Sequence, residues 1–165
     1  MLQKKICLLG SPAVGKTSLV AQYVHQVFSE TYLTTVGVKI DKKEVVAGDR
    51  KVLLLVWDLH GDDEFQRLQE SYLRGTHAYF LVADGTRRDT LEHALELQQR
   101  FQATLNGIPF MTLLNKADLT RQWELDQGNL DELQARGWEF QETSARTGKG
   151  VESAFRRLAE MSLQS

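Results

Sequence analysis

A glycine-rich pattern near the amino terminus constrains the fold more than any other feature. Residues 10–17 read GSPAVGKT, which fits G-x-x-x-x-G-K-[ST], and they directly follow the apolar run at 6–9. A strand therefore leads into the loop, and helical residues follow Thr17. Backbone N–H groups of such a loop converge on phosphate oxygens, helped by the positive end of the helix dipole. The pattern predicts a nucleotide-binding site.

The residues of this loop have distinct expected roles. Lys16 is expected to reach the β- and γ-phosphates, and the hydroxyl of Thr17 to bind Mg²⁺. The remaining loop residues are expected to line the phosphates: Pro12, Ala13, Val14, Gly15 and Ser18.

A second motif selects the base. Residues 115–118 read NKAD and follow an apolar run at 110–114. The carboxylate of Asp118 can accept two hydrogen bonds, and guanine offers two adjacent donors on its N1/N2 edge. Adenine would leave that carboxylate unpaired, which is costly for a buried group. Asp118 therefore predicts guanine, and the aliphatic stem of Lys116 is expected to lie along the base.

Length and composition predict one ordinary globular domain, residues 1–165. The chain has 42% hydrophobic and 25% charged residues, with a net charge of −2 that gives no indication of nucleic-acid binding. The single Cys7 offers no disulfide framework, which fits a reducing compartment, so a cytoplasmic location is expected. No stretch has the length of a membrane span, and neither end carries a lipidation motif, so no membrane anchor is expected.

Apolar runs of strand length alternate with segments of helical period. Strands are predicted over 4–9, 36–46, 51–58, 78–84, 109–115 and 138–142, and helices over 15–26, 64–73, 90–105, 129–136 and 151–163. The short turn at 47–50 joins the second and third strands as an antiparallel hairpin, whereas helices separate the others and imply parallel crossovers. The predicted class is an α/β P-loop NTPase fold: a six-stranded, mostly parallel sheet with one antiparallel strand and helices on both faces.

Three further segments each lie next to a strand-like run. Residues 34–37 read TTVG, residues 57–61 read WDLHG, and residues 142–146 read ETSAR. With the two motifs above, in this order and at these spacings, the whole chain resembles the Ras superfamily of small GTPases. Residues 57–58 and SYLRG at 71–75 look most like Rab proteins, and residues 13–17 look more like Rho, so no subfamily match is close.

The resemblance implies a role for several residues around the phosphates and the base. Thr35 is expected to be the second hydroxyl ligand of Mg²⁺, Asp58 to hold the ion through water, and the Gly61 amide to contact the γ-phosphate. Phe28 matches the aromatic residue that lies across the base, and Tyr32 the tyrosine near the phosphates. The base-binding set is expected to include Asn115, Lys116, Asp118, Ser144, Ala145 and Arg146, with the Ala145 amide on the guanine oxygen.

The resemblance also implies the reaction, in which GTP and water give GDP and phosphate. The catalytic candidates are Lys16, Thr35, Gly61 and Asp62. Loss of the γ-phosphate would release the segments that hold Thr35 and Gly61, and a partner senses the difference. Exchange factors, GTPase-activating proteins and effectors are expected on the surface of residues 28–40 and 59–75. Ile40, Trp57 and Tyr72 match apolar positions used for effector contact, although Trp57 also reads as partly core.

The largest departure from the family pattern follows Gly61. Family members normally carry a glutamine there that orients the attacking water, and this chain has Asp62. An ionised carboxylate can accept a hydrogen bond from water but cannot donate one, and its charge is unfavourable beside a triphosphate. One hypothesis is that unaided hydrolysis is slow and that Asp62→Gln would raise the rate. The alternative is that Asp62 points to solvent.

Two further departures leave alternatives open. Pro12 removes one N–H from the phosphate cradle and would crowd an arginine supplied by an activating protein, or the loop tolerates proline without consequence. His60 approaches the γ-phosphate or the water, or it packs beside Trp57 or faces solvent.

Three functions compete at this stage. The first is a GTP-hydrolysing switch, favoured by Lys16, Thr17, Thr35 and Asp58. The second is a pseudo-GTPase that holds guanine nucleotide without hydrolysis, favoured by Asp62 and Pro12. The third is a P-loop kinase, which shares only the phosphate loop and would lack the motif at 115–118.

Overall fold

The computed structural model describes residues 1–28, 37–64 and 67–164. Within these ranges one sheet has the strand order β2-β3-β1-β4-β5-β6. The strands are β1 (Leu2–Gly10), β2 (Val38–Ala47), β3 (Arg50–Leu59), β4 (Ala78–Asp84), β5 (Phe110–Asn115) and β6 (Phe140–Glu142). Only β2 and β3 pair antiparallel, and the other neighbours pair in parallel. The predicted fold class is confirmed.

Helices accompany the strands of the described residues, except that the connection from β3 to β4 contains a short 3₁₀ turn instead. They are α1 (Lys16–His25), α2 (Arg88–Arg100), α3 (Gln102–Leu105), α4 (Gln127–Ala135) and α5 (Val151–Gln164). The helix predicted over 90–105 is divided at Phe101, whose backbone leaves the helical region at φ −103° and ψ 20°.

The helix predicted over 64–73 is wrong for its described part. Residues 67–73 contain only the short 3₁₀ turn Glu70–Leu73. Leu68 donates its backbone N–H to the Asp62 side chain at 2.7 Å, instead of to a helical carbonyl, and its own side chain is buried. The hydrogen bond to Asp62 and the burial of the Leu68 side chain thus outweigh the helical periodicity of this segment.

The core lies on both faces of the sheet because alternate residues of each strand point in opposite directions. On one face Ile6 and Leu8 pack with residues of α1 and α5, where the ring of Tyr23 stacks on Phe155 at 3.9 Å. On the other face Cys7 and Leu9 pack with residues of α2. Cys7 is a free cysteine buried in this part of the core.

The parallel strands place the motifs together. β1, β3, β4, β5 and β6 end at Gly10, Leu59, Asp84, Asn115 and Glu142, and their carboxyl ends share one edge of the sheet. Within the described ranges no helix combines the length and apolar character that membrane crossing requires.

Candidate nucleotide-binding site

The phosphate loop joins the end of β1 to the start of α1 through left-handed backbone. Ala13 has φ +62° and Gly15, the residue before α1, has φ +104°. Alternation of this kind turns successive N–H groups toward one concave side, which suits an anion. A Cβ on Gly15 would also clash with Nδ2 of Asn115, so this position requires glycine.

Lys16 lies inside the loop. Its side chain is buried and Nζ donates to the carbonyl oxygens of Gly10 at 3.1 Å and Ser11 at 2.9 Å. Burial lowers the pKa of Lys16 to about 8, although the nearby carboxylate of Asp58 opposes that shift. A bound polyphosphate would favour the charged form of the lysine.

Side chains from two neighbouring loops hold three successive carbonyls of the phosphate loop. Arg87 Nη2 donates to the carbonyl of Pro12 at 3.0 Å. Lys116 Nζ donates to that of Ala13 at 2.9 Å. Asn115 Nδ2 donates to that of Val14 at 3.0 Å. The base-binding motif and the phosphate loop are therefore directly connected.

A buried carboxylate at the end of β4 organises this connection. Asp84 Oδ2 lies 2.9 Å from Lys116 Nζ and 3.0 Å from Arg87 Nε, and Oδ1 accepts from the Thr86 hydroxyl at 2.6 Å. Burial alone would raise the pKa of Asp84, but these hydrogen bonds together hold it below its ordinary value. Sequence reasoning missed Asp84 and Arg87. The signal was available, because Asp84 ends a strand directly beside Asn115.

The two base-binding segments also hold each other. The Thr143 hydroxyl donates to Asn115 Oδ1 at 3.0 Å, and the Ala117 amide donates to the Thr143 carbonyl at 3.0 Å. The Ser144 hydroxyl donates to Asp118 Oδ1 at 2.8 Å. The structure thus brings 115–118 and 142–146 together, with Ala145 buried and Arg146 exposed.

Two predicted metal ligands meet beside the phosphate loop. The Thr17 hydroxyl donates to Asp58 Oδ2 at 2.6 Å. Asp58 Oδ1 is buried and has no hydrogen-bond partner among residues 1–28, 37–64 and 67–164. Burial raises the pKa of Asp58 despite the Thr17 hydrogen bond. A hard divalent cation prefers carboxylate and hydroxyl oxygens, so this pair fits Mg²⁺. Thr35 and Tyr32 lie outside the described residues.

The segment that begins at Gly61 packs directly on the phosphate loop. The Asp62 amide donates to the Gly10 carbonyl at 3.2 Å. A Cβ on Gly61 would lie 2.5 Å from the Cα and N atoms of Pro12, so only glycine permits this approach. Pro12 therefore faces Gly61, a neighbour that sequence reasoning did not assign to it.

The Asp62 carboxylate is fully engaged by protein. Only 1% of the residue is exposed, so the alternative that it points to solvent is wrong. Oδ1 accepts from Arg100 Nη1 at 2.8 Å and from the Leu68 amide at 2.7 Å, and Oδ2 lies 2.9 Å from His93 Nε2. Burial alone would raise the pKa of Asp62, but the bonds from Arg100, Leu68 and His93 outweigh it and the pKa is lowered.

His93 extends this contact back to the phosphate loop. Its Nδ1 lies 2.5 Å from Oγ of Ser11, so one imidazole ring of α2 touches both Ser11 and Asp62. Sequence reasoning gave His93 and Arg100 no role at the site, and nothing in their spacing marks them, because their partners lie 31 to 82 residues away. His60 is buried rather than facing solvent, with Nδ1 3.3 Å from the Gly61 carbonyl.

The surface around the described residues of 28–40 and 59–75, where partners are expected, combines apolar and basic side chains. Ile40 is 46% exposed, and Phe28 is exposed as well. Trp57 is only half-buried, packs against the core, and carries Lys5 Nζ over its ring at 3.7 Å. That lysine also donates to the Tyr72 carbonyl at 2.6 Å. Trp57 is therefore partly a core residue, through its packing, and partly a surface residue, through its exposed fraction.

Comparisons with known proteins agree with this site. The family model described as Ras family matches residues 5–164. The Ras-related protein Rab7 of Drosophila melanogaster is 35% identical over 172 residues, covering 97% of this chain and 80% of its own length. The Ras-related protein RABG3f of Arabidopsis thaliana is 35% identical over 176 residues, covering 98% and 82%. The Ypt/Rab-type GTPase ypt7 of Schizosaccharomyces pombe is 34% identical over 169 residues, covering 98% and 82%.

Proposed function

The chain belongs to the Ras family, and we propose that it is a magnesium-dependent guanine-nucleotide switch that hydrolyses GTP slowly when unaided. Membership makes it a GTP-binding GTPase. The observation that carries the finer proposal is the burial of Asp62, the residue that follows Gly61.

Nucleotide binding is supported by the connected loops. Asp118 accepts hydrogen bonds from the N1/N2 edge of guanine, and the Ser144 hydroxyl donates to its Oδ1 and holds the carboxylate in place. Lys16 and the N–H groups on the concave side of residues 12–17 bind the phosphates. Thr17 and Asp58 hold Mg²⁺, which when bound offsets the negative charge of the phosphate oxygens.

Hydrolysis is expected to be slow because the side chain of Asp62 does not reach the water that attacks the γ-phosphate. Both Asp62 oxygens are occupied by donors of α2 and of Leu68, and a side chain that is 1% exposed cannot also hydrogen-bond an attacking water. Charge stabilisation by Lys16 and the loop amides remains, and this term supplies much of phosphoryl-transfer catalysis. The pseudo-GTPase alternative is therefore not favoured.

Regulators and effectors are the kind of partner that this family implies. We propose that they bind at the surface around residues 28–40 and 59–75. The exposed apolar side chain of Ile40 on β2, beside Trp57 of β3, supports a docking role there. A GTPase-activating protein would supply the water-orienting group that Asp62 does not.

Single-turnover hydrolysis of bound GTP tests the proposal. Purified protein is loaded with GTP and the GDP formed is followed with Mg²⁺ and with excess chelator. We expect a Mg²⁺-dependent rate on the order of 10⁻⁴ s⁻¹ or below, as for unaided small GTPases. Failure to retain guanine nucleotide would overturn the binding proposal. Retention without any GDP over many hours would instead support the pseudo-GTPase.

A further inference from the structure

We propose that Arg87 is a positioning residue for the nucleotide phosphates: by holding the Pro12 carbonyl outward, it turns the Ala13 N–H toward the bound phosphate. The inference rests on the proposed nucleotide binding and assigns a role to a residue that no motif covers. Arg87 follows β4 and lies next to the start of α2.

Peptide geometry links the two groups. The described chain has no cis peptide bonds, and in a planar trans peptide the C=O of one residue and the N–H of the next point in opposite directions. Arg87 Nη2 binds the Pro12 oxygen at 3.0 Å, so the Ala13 N–H points to the other side of the loop. That side is the concave side formed by the positive-φ residues Ala13 and Gly15.

The same geometry applies to the next two peptides. Lys116 holds the Ala13 carbonyl and Asn115 holds the Val14 carbonyl, which directs the N–H groups of Val14 and Gly15. Arg87 extends this arrangement by one peptide. The extension matters at this position because Pro12 has no N–H of its own, so the cradle depends more heavily on the Ala13 N–H.

Arg87 is itself held rigidly. Its Nε donates to Asp84 Oδ2 at 3.0 Å while Nη2 reaches Pro12, so two nitrogens of one planar guanidinium bridge two fixed acceptors. Asp84 is buried and also binds Lys116. One carboxylate therefore aligns two of the three side chains that hold the loop. Because the guanidinium binds a carbonyl, Arg87 acts through the backbone.

The test is the dissociation rate of fluorescent GDP from full-length variants. Arg87→Ala is expected to dissociate GDP about tenfold faster than wild type, because a charge-assisted hydrogen bond that orients the cradle is lost. Arg88→Ala is the matched control, since Arg88 binds the Glu124 carbonyl and Asp126 at the start of α4 instead of the loop. Its rate is expected to stay within twofold of wild type.

Two further measurements separate positioning from simple charge and from folding. Arg87→Lys keeps the positive charge but cannot bind Asp84 and Pro12 with two nitrogens of one planar group. The logarithm of its increase in GDP dissociation rate is expected to be at least half of that for Arg87→Ala. In ³¹P NMR of bound GDP, a phosphate resonance is expected to shift in Arg87→Ala and to keep its wild-type position in Arg88→Ala. Thermal unfolding of each GDP complex verifies folding, and the lysine variant serves if the alanine variant does not fold.

The outcomes are distinct. If wild type does not retain guanine nucleotide, the proposed function fails. If wild type retains it and Arg87→Ala behaves like Arg88→Ala, the inference alone fails. Full rescue of the rate by lysine also overturns the inference, because charge attraction would then account for the effect of Arg87.

Discussion

The two halves of the site are stabilised in different ways. In the base half, which we define as residues 10–17, 84–87, 115–118 and 142–146, side chains of one loop hold backbone carbonyls or side chains of another. In the switch half, the described residues 57–64 and 67–73, the main contact joins one side chain, Asp62, to α2.

This difference separates binding from hydrolysis. In the base half the bonds from Arg87, Lys116 and Asn115 use carbonyls of the phosphate loop, which leaves the N–H groups of that loop for a ligand. The switch half turns the side chain at position 62 into the protein. A nucleotide would therefore meet a largely formed binding site, whereas water orientation at the γ-phosphate depends on something other than Asp62 in this conformation.

Removal of the base-selecting carboxylate is expected to have the largest effect. Asp118→Ala should weaken GDP binding about a thousandfold, if each of two charge-assisted hydrogen bonds is worth roughly 2 kcal/mol. Isothermal titration of nucleotide-free protein measures the loss, with exposed Asp131→Ala on α4 as the control. If the alanine variant kept wild-type affinity, Asp118 would not contribute to base binding.

Disruption of the contact between Asp62 and α2 is expected to have the second-largest effect, a loss of stability. Asp62→Ala removes a buried carboxylate and leaves Arg100 and His93 without it, which should cost about 2–3 kcal/mol of unfolding free energy. Denaturant unfolding of the GDP complexes measures this cost. Glu96→Ala is the matched control, because Glu96 pairs with the same Arg100 on the exposed face of α2 and should cost about 0.3–0.5 kcal/mol. Equal costs would mean that the Asp62 contact contributes no more than a surface pair.

The two halves also differ in how well sequence predicts them. The motifs at 10–17, 115–118 and 142–146 predicted most of the base half, because each is a short run of consecutive residues, but they missed Asp84 and Arg87. The mostly parallel pairing of the strands was also predicted, since helical crossovers imply parallel neighbours, but their order in the sheet was not. The environment of Asp62 could not be predicted, because His93 and Arg100 reach it only after α2 packs on the sheet. The predicted helix at 64–73 failed for a related reason: Leu68 bonds to that same carboxylate.

Replacement of Asp62 by glutamine, the residue that the family normally carries there, tests whether the switch half limits GTP hydrolysis. Asp62→Gln is expected to raise single-turnover hydrolysis about tenfold, because a neutral amide can both donate to and accept from water and is no longer held by ion pairs. Asp62→Asn is the control, since it removes the same charge but is one methylene shorter. A wild-type rate at or above that of the glutamine variant would contradict the hypothesis that Asp62 limits hydrolysis.

The pH dependence of stability should show the smallest effect. Because the folded-state pKa of Asp62 is lowered, the carboxylate binds protons more readily in the unfolded chain, and its stabilising contribution is present above the unfolded pKa. That contribution is lost as the pH falls through the folded pKa. The difference in unfolding free energy between wild type and Asp62→Asn should therefore be constant near neutrality and narrow below about pH 4, the ordinary carboxyl range. Urea unfolding of both proteins across this range measures it. A difference that widens on acidification would mean that burial outweighs the bonds from Arg100, Leu68 and His93, and that α2 holds Asp62 less firmly than the geometry indicates.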